Sequence, residues 1–275
     1  MEEEKQKELI WQARLAQKCQ RYEDMEMYII QSIESEMTES TDIESAKELS
    51  EEQRELLAIA LKNPIGNAKK ELRIIDAIRS DPKFNFYEKE LSKFRAKVAA
   101  EFIDKCKHGI EVIKKYLPFP FQDVARTRMV YLSTEKMESR VFIYKTLGDF
   151  NRHLCGVAIG DSKVQAAKKS INAYEIARKI GSQLGKSHPY IMSLKLNLAI
   201  YVNEIFKDKK RSIEVASNAY DDALRDLMSA NKYNQIQETY YEEISHILSL
   251  LKEHIISWKQ QLEIEHTNEK ESYSD

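Results

Sequence analysis

The sequence predicts an all-α protein, and three observations carry that prediction. Gly and Pro number only 7 and 5 in 275 residues, well below the roughly 7% and 5% of average usage, so few turns and breaks are expected. Charged residues make up 32% of the chain and are dominated by Glu and Lys, the composition of long helices. Apolar residues recur with a 3.6-residue period, and the breaks between periodic stretches divide the chain into about nine helices.

The first two helices lie in residues 2–34, where Leu9, Ile10, Ala13, Ala16, Met25, Tyr28 and Ile29 keep the period around a break near Gln20 to Tyr22. The acidic, hydroxyl-rich stretch 35–50 has little to bury and reads as a mobile insertion. Ser50 stands three residues before Gln53, a capping box that opens a long helix to about Ser80. Another helix runs from about Phe86 to Leu117, where P-F-P at 118–120 stops it, because proline lacks an amide proton and biases its predecessor away from helix. Residues 118–137 are ambiguous. Beyond them come the helix containing V-F-I-Y-K-T-L-G-D-F-N-R-H-L (141–154), the helix of D-S-K-V-Q-A-A-K-K-S-I, a turn at Gly185 to His188, and a helix opened by Pro189, a favoured first position. Two more span about 211–229 and 233–262. Residues 1–262 thus form one domain, and 263–275 read as a disordered acidic tail.

A formal net charge of −2 gives no global attraction for nucleic acid or an anionic membrane, which need clustered basic groups. Cys19, Cys106 and Cys155 sit singly in helical patterns, which argues against a disulfide framework or structural zinc and for a reducing compartment. The N-terminus M-E-E-E-K-Q-K-E is too charged for a signal peptide, and no run reaches the roughly 18 apolar residues of a membrane span. A soluble, cytoplasmic protein is expected.

Enzyme chemistry finds no positive mark. G-S-Q-L-G-K-S (181–187) has one residue too few between its glycines for a phosphate-binding loop and follows a helix instead of a strand, so it reads as a helix end. The six histidines contain no H-E-x-x-H pattern, and His246 and His254 lack an obvious third ligand; no metal or cofactor is expected. Cys155, two residues after His153, cannot converge with it on a helix as nucleophile and base, and reads as a small core residue.

Two charged stripes remain. Lys145, Asp149 and Arg152 share a face of a helix whose apolar residues spread around it, and Lys62, Lys69 and Arg73 share a face of the long helix before. Either the stripes are solvated, or their charges are paired or await an anion, since a buried charge needs a partner.

The segments R-E-L-L-A-I-A-L-K-N-P-I-G (54–66) and K-T-L-G-D-F-N-R-H-L (145–154) resemble the third and fifth helices of the 14-3-3 family. L-A-Q-K-C-Q-R-Y-E-D-M (15–25), H-P-Y-I-M-S-L-K-L-N-L-A-I-Y-V-N-E-I (188–205) and L-L-K-E-H-I-I-S-W (250–258) extend the resemblance, in order, over nearly the whole chain. It implies a cup-shaped, TPR-like bundle of antiparallel helices that dimerises and holds phosphoserine or phosphothreonine segments of client proteins in an amphipathic groove, without catalysis. By the same resemblance Lys62, Lys69, Arg152 and His153 bind the phosphate, Asn197 and His254 the peptide backbone, and Lys145, Leu196, Ile200, Glu204, Leu250 and Trp258 line the groove. Arg21 and Asp24 would pair with Glu101 and Lys97 of a second subunit, in a homodimer or a heterodimer with another family member.

The chain departs from the family pattern at several of these positions. Lys69 replaces an arginine and loses its bidentate fork; His153 replaces a tyrosine, with a charge expected below its ordinary pKa of ~6.5 and hence a pH-dependent affinity. His254 replaces an asparagine, Ser257 a leucine and Gly156 a glutamate, and Pro64 falls two residues after Lys62 inside the third helix. The leading expectation is a phosphopeptide-binding adaptor; the alternative is a 14-3-3-like interaction scaffold that has lost strict phosphate dependence.

Overall fold

The computed structural model describes residues 2–36, 48–117, 132–229 and 238–272, and among these it contains nine α-helices and no strand. Helices α1 (Glu2–Lys18) and α2 (Tyr22–Glu36) are separated by Gln20, whose φ of 56° turns the chain where the period breaks. Helix α3 (Glu51–Arg79) opens on the capping box: Ser50 Oγ accepts from the Gln53 amide at 3.2 Å, and Gln53 Oε1 accepts from the Ser50 amide at 3.0 Å. It remains helical on both sides of Pro64. A 3-10 turn (Pro82–Tyr87) leads into α4 (Glu88–Lys115), followed by α5 (Thr134–Val157) and α6 (Gly160–Ile180). Helix α7 (Pro189–Tyr201) passes directly into a π-helical turn, Val202–Phe206, before α8 (Lys209–Met228) and α9 (Glu238–Ser272).

Two boundaries differ from expectation. The tail read as disordered from 263 is helical to Ser272, and Lys209 pairs with Glu265 at 2.5 Å, so a segment with little to bury continues α9 through its Glu and Lys content and one anchor on α8. Of the expected insertion 35–50, residues 37–47 lie outside the described residues, but its ends are held: Ser35 and Glu36 close α2, Leu49 is buried, and its amide donates to Ser139 Oγ at 3.2 Å. Residues 118–131 of the ambiguous connection also lie outside the described residues, and its end from Thr134 belongs to α5.

Consecutive helices pack on one another, and α5 also packs on α3 and α7, so it is the pillar of the fold. Every residue from Met137 to Arg152 is buried, which would ordinarily demand an apolar helix. Its charges are tolerated because each has a partner: Glu138 with Arg54, Arg140 with Glu48, Lys145 with Asp149, and Arg152 with Glu204. The α5 stripe is therefore not a solvated face, whereas on α3 Lys62 and Lys69 are partly buried and Arg73 is exposed. Gly148 lets α6 approach closely, since a Cβ there would lie 2.5 Å from the Tyr174 ring, and Ser170 Oγ donates to the Gly148 carbonyl at 2.8 Å.

Candidate functional site

Helices α3, α5, α7 and α9 together line a cavity of about 330 Å³, with Lys62 and Lys145 among its walls. Asp149 is the hub beside it. Its Oδ2 faces Lys62 Nζ at 3.2 Å and Lys145 Nζ at 3.3 Å, while its Oδ1 accepts from the Tyr174 hydroxyl at 2.7 Å and from Asn197 Nδ2 at 2.6 Å. Burial alone would raise the Asp149 pKa, but Lys145, Lys62 and Arg152 hold it well below the usual carboxylate range. Lys145, expected in the groove, is almost fully buried, and burial pushes its pKa down to about 8 against the pull of Asp149.

A second hub stands on the π-helical turn. Glu204 Oε1 pairs with Lys69 Nζ at 3.3 Å, and its Oε2 pairs with the Arg152 guanidinium. Arg152 Nε also donates to the Tyr174 hydroxyl at 3.3 Å, which joins the two hubs through one tyrosine. Burial lowers the Lys69 pKa, opposed by Glu204; the Glu204 carboxyl is raised by burial but brought below its ordinary value by Arg152 and then Lys69. Lys62, Lys69 and Arg152 thus share one network, connected through Asp149, Tyr174 and Glu204.

His153 follows Arg152, and its ring stands edge-on to Phe102 of α4 with centroids 6.2 Å apart. Burial, then Arg152 and Lys69, push its pKa down to about 3. The expectation of a histidine that charges near pH 6.5 is corrected: this one is neutral throughout the physiological range, because its neighbours are cations in a poorly solvated space.

The four residues expected in the apolar wall of the groove lie in one hydrophobic cluster. Leu196 and Trp258 are buried in a cluster of α7, α8 and α9, with Ile200 and Leu250 packed on it. The His254 ring lies 5.0 Å from that of Trp258, while Ser257 is exposed and accepts from Gln261. Asn197, expected to hold a peptide backbone, spends one amide donor on Asp149. Gly156 is exposed at the end of α5 with open space at its Cβ. The G-S-Q-L-G-K-S stretch is a helix end, with Ser187 bound to Asp226 of α8.

Two residues organise the site in ways that the sequence does not show. Tyr174 has no distinguishing pattern and reads as any core aromatic; only its hydroxyl contacts reveal its role. Asp149 was visible in the stripe, four residues after Lys145, but its reach to α3, α6 and α7 was not. A further buried network is also invisible in sequence: Arg54 bonds Glu138 at 2.8 Å and the Tyr190 hydroxyl at 2.9 Å, and Glu138 receives His188 at 3.0 Å and Tyr240 at 3.2 Å. It ties α3, α5, α7 and α9 together along the cavity.

Arg21 and Asp24 pair with each other within the chain, and they line a surface cavity with Glu101. Lys97 and Glu101 are exposed on α4.

The 14-3-3 protein family model matches residues 12–259. The chain belongs to the 14-3-3 family. It is 30% identical to 14-3-3 protein beta/alpha of Rattus norvegicus over 253 residues, 91% of each chain, and equally to that of Homo sapiens. With 14-3-3 protein 2 of Entamoeba histolytica it shares 28% identity over 254 residues, 91% of this chain and 94% of the other. The nine helices described above agree with the all-α 14-3-3 fold. No described helix is long and apolar enough to cross a membrane.

Proposed function

We propose that this 14-3-3 protein is a non-enzymatic adaptor that holds phosphoserine or phosphothreonine segments of client proteins in the groove of α3, α5, α7 and α9. One observation carries the reading: Lys62, Lys69, Lys145 and Arg152 meet in one network in which, among the described residues, the paired carboxylates are Asp149 and Glu204. Four positive charges against two negative leave a positive surplus, which suits a phosphate dianion. A phosphate group has acceptors only, so converging cationic donors are the chemistry it requires. Neutral His153 would add one N–H donor without charge. The adjoining Leu196, Ile200, Leu250 and Trp258 would take apolar side chains of the client, and Asn197 and His254 its backbone.

A cytoplasmic adaptor of this kind would act in signalling as a homodimer, or as a heterodimer with another family member. Exposed Trp11 and Leu15 on α1, Ile74 on α3, and Phe86 and Phe94 before and within α4 supply apolar surface for the association. Arg21, Asp24, Lys97 and Glu101 would set its orientation, because exposed ion pairs contribute only ~0.2 to 1 kcal/mol each. The second reading, a scaffold that no longer needs phosphate, is favoured by the pairing of Lys69 and Arg152 with Glu204 inside the free protein.

Titrating a phosphoserine peptide and its unphosphorylated twin decides between the two. The proposal expects the phosphopeptide to bind at least about a hundredfold more tightly, the weight of two or more charge-assisted contacts. Equal affinities would remove phosphate dependence and leave the scaffold.

A further inference from the structure

We propose that Glu204 is an internal competitor for the groove, holding Lys69 and Arg152 in the free protein so that only an anion able to displace its carboxylate is admitted. The inference rests on the phosphate reading of the groove. Its basis is the way the two oxygens divide: Oε1 takes Lys69 from α3 and Oε2 takes Arg152 from α5. One planar anion thereby bridges the cations of two helices, the position expected of two phosphate oxygens.

The competitor is placed to leave. The Glu204 side chain is 33% exposed, whereas that of Arg152 is 7% exposed, so the acid can swing toward solvent while the base stays fixed. Glu204 also lies outside the regular helix, on the π-helical turn that ends at Lys207 with a left-handed φ of 58°. Asp149 differs on both counts, being buried and within α5, and its oxygens carry Tyr174 and Asn197 as well as the two lysines. Of the two carboxylates, Asp149 builds the site and Glu204 occupies it.

The consequence is a threshold on the incoming anion. A carboxylate from a client would replace Glu204 charge for charge, and a tethered group has the advantage of high effective concentration. A phosphoryl group brings close to two negative charges and three strong acceptor oxygens, so it can engage Lys62 as well as the pair that Glu204 releases. Removing the charge of Glu204 should therefore strengthen every anion's binding and bring weaker ones into range.

The experiment titrates three versions of one peptide, carrying phosphoserine, aspartate or serine, against wild type, Glu204→Gln and Glu204→Asp. Glutamine keeps size and polarity without charge; aspartate keeps charge with a shorter reach. The expected result for Glu204→Gln is roughly tenfold tighter binding of the phosphoserine peptide, measurable binding of the aspartate peptide, and no change with serine, with Glu204→Asp intermediate. Unchanged or weaker phosphopeptide binding by a Glu204→Gln variant that melts with wild type overturns the inference and makes Glu204 a positioning residue. Should that variant melt early, Glu204→Asp decides: tighter binding supports the competitor, unchanged or weaker binding overturns it. If wild type binds the phosphoserine and serine peptides alike, the phosphate reading fails and takes this inference with it; if wild type discriminates but neither variant tightens, the inference fails alone.

Discussion

His153 should make the fold acid-labile, by an amount that its surroundings set. Its pKa falls from 6.5 to about 3 because burial, Arg152 and Lys69 disfavour the imidazolium. In the unfolded chain the same ring takes a proton near pH 6.5, so below that value the unfolded state binds more protons than the folded one. Stability contributed by the neutral ring is thus fully present above pH 6.5 and is lost as pH falls toward 3. Between pH 7.5 and 5.5 the loss from this one group is about 1.4 kcal/mol, the free energy of one proton over one pH unit. His153→Gln removes the titration while keeping a polar side chain of similar reach. Denaturant unfolding of both proteins at the two pH values should show wild type losing about 1.4 kcal/mol more than the variant, since all other groups titrate alike in both. Equal losses would mean that the ring is protonated in the folded state despite its cationic neighbours, and the account of a neutral His153 would be wrong. In phosphopeptide binding, the same neutrality predicts no step near pH 6.5 from this residue.

Two further outcomes follow from the contacts around α5. Gly148→Ala places a methyl group 2.5 Å from the Tyr174 ring; it should destabilise by about 1 to 3 kcal/mol despite better helix propensity, and should weaken phosphopeptide binding by displacing the hydroxyl that joins Asp149 to Arg152. Thermal melting and peptide titration on one preparation check it, and a variant as stable as wild type would show that α6 yields easily. Arg152→Ala should cost about 1 to 2 kcal/mol of stability, less than a fully buried broken pair, because Glu204 keeps Lys69 and is one-third exposed while Tyr174 keeps Asp149. Its phosphopeptide affinity should fall by about 2 to 5 kcal/mol, and intact affinity per folded molecule would confine Arg152 to a structural role.

What the sequence determined by itself is local or periodic in character. The helices around Gln20, Ser50 and Pro189 are legible because a break in period, a capping box and a first-turn proline act over a few residues. The basic stripes of α3 and α5 are legible for the same reason, since spacing along a helix places residues on one face. Their state was not legible. Whether Arg152 is free or paired depends on Glu204, fifty-two residues later, and whether His153 can charge depends on Phe102 and Lys69 from two other helices. The continuation of α9 to Ser272 likewise rests partly on Lys209, a contact between helices. Charge pairing, desolvation and the resulting pKa values are properties of what surrounds a side chain in space, and one helix's pattern carries no record of which residues another helix brings to it. The sequence determined which side chains share a face; only the packing of α3, α5, α6 and the π-helical turn decided that Asp149 and Glu204 would neutralise part of that face.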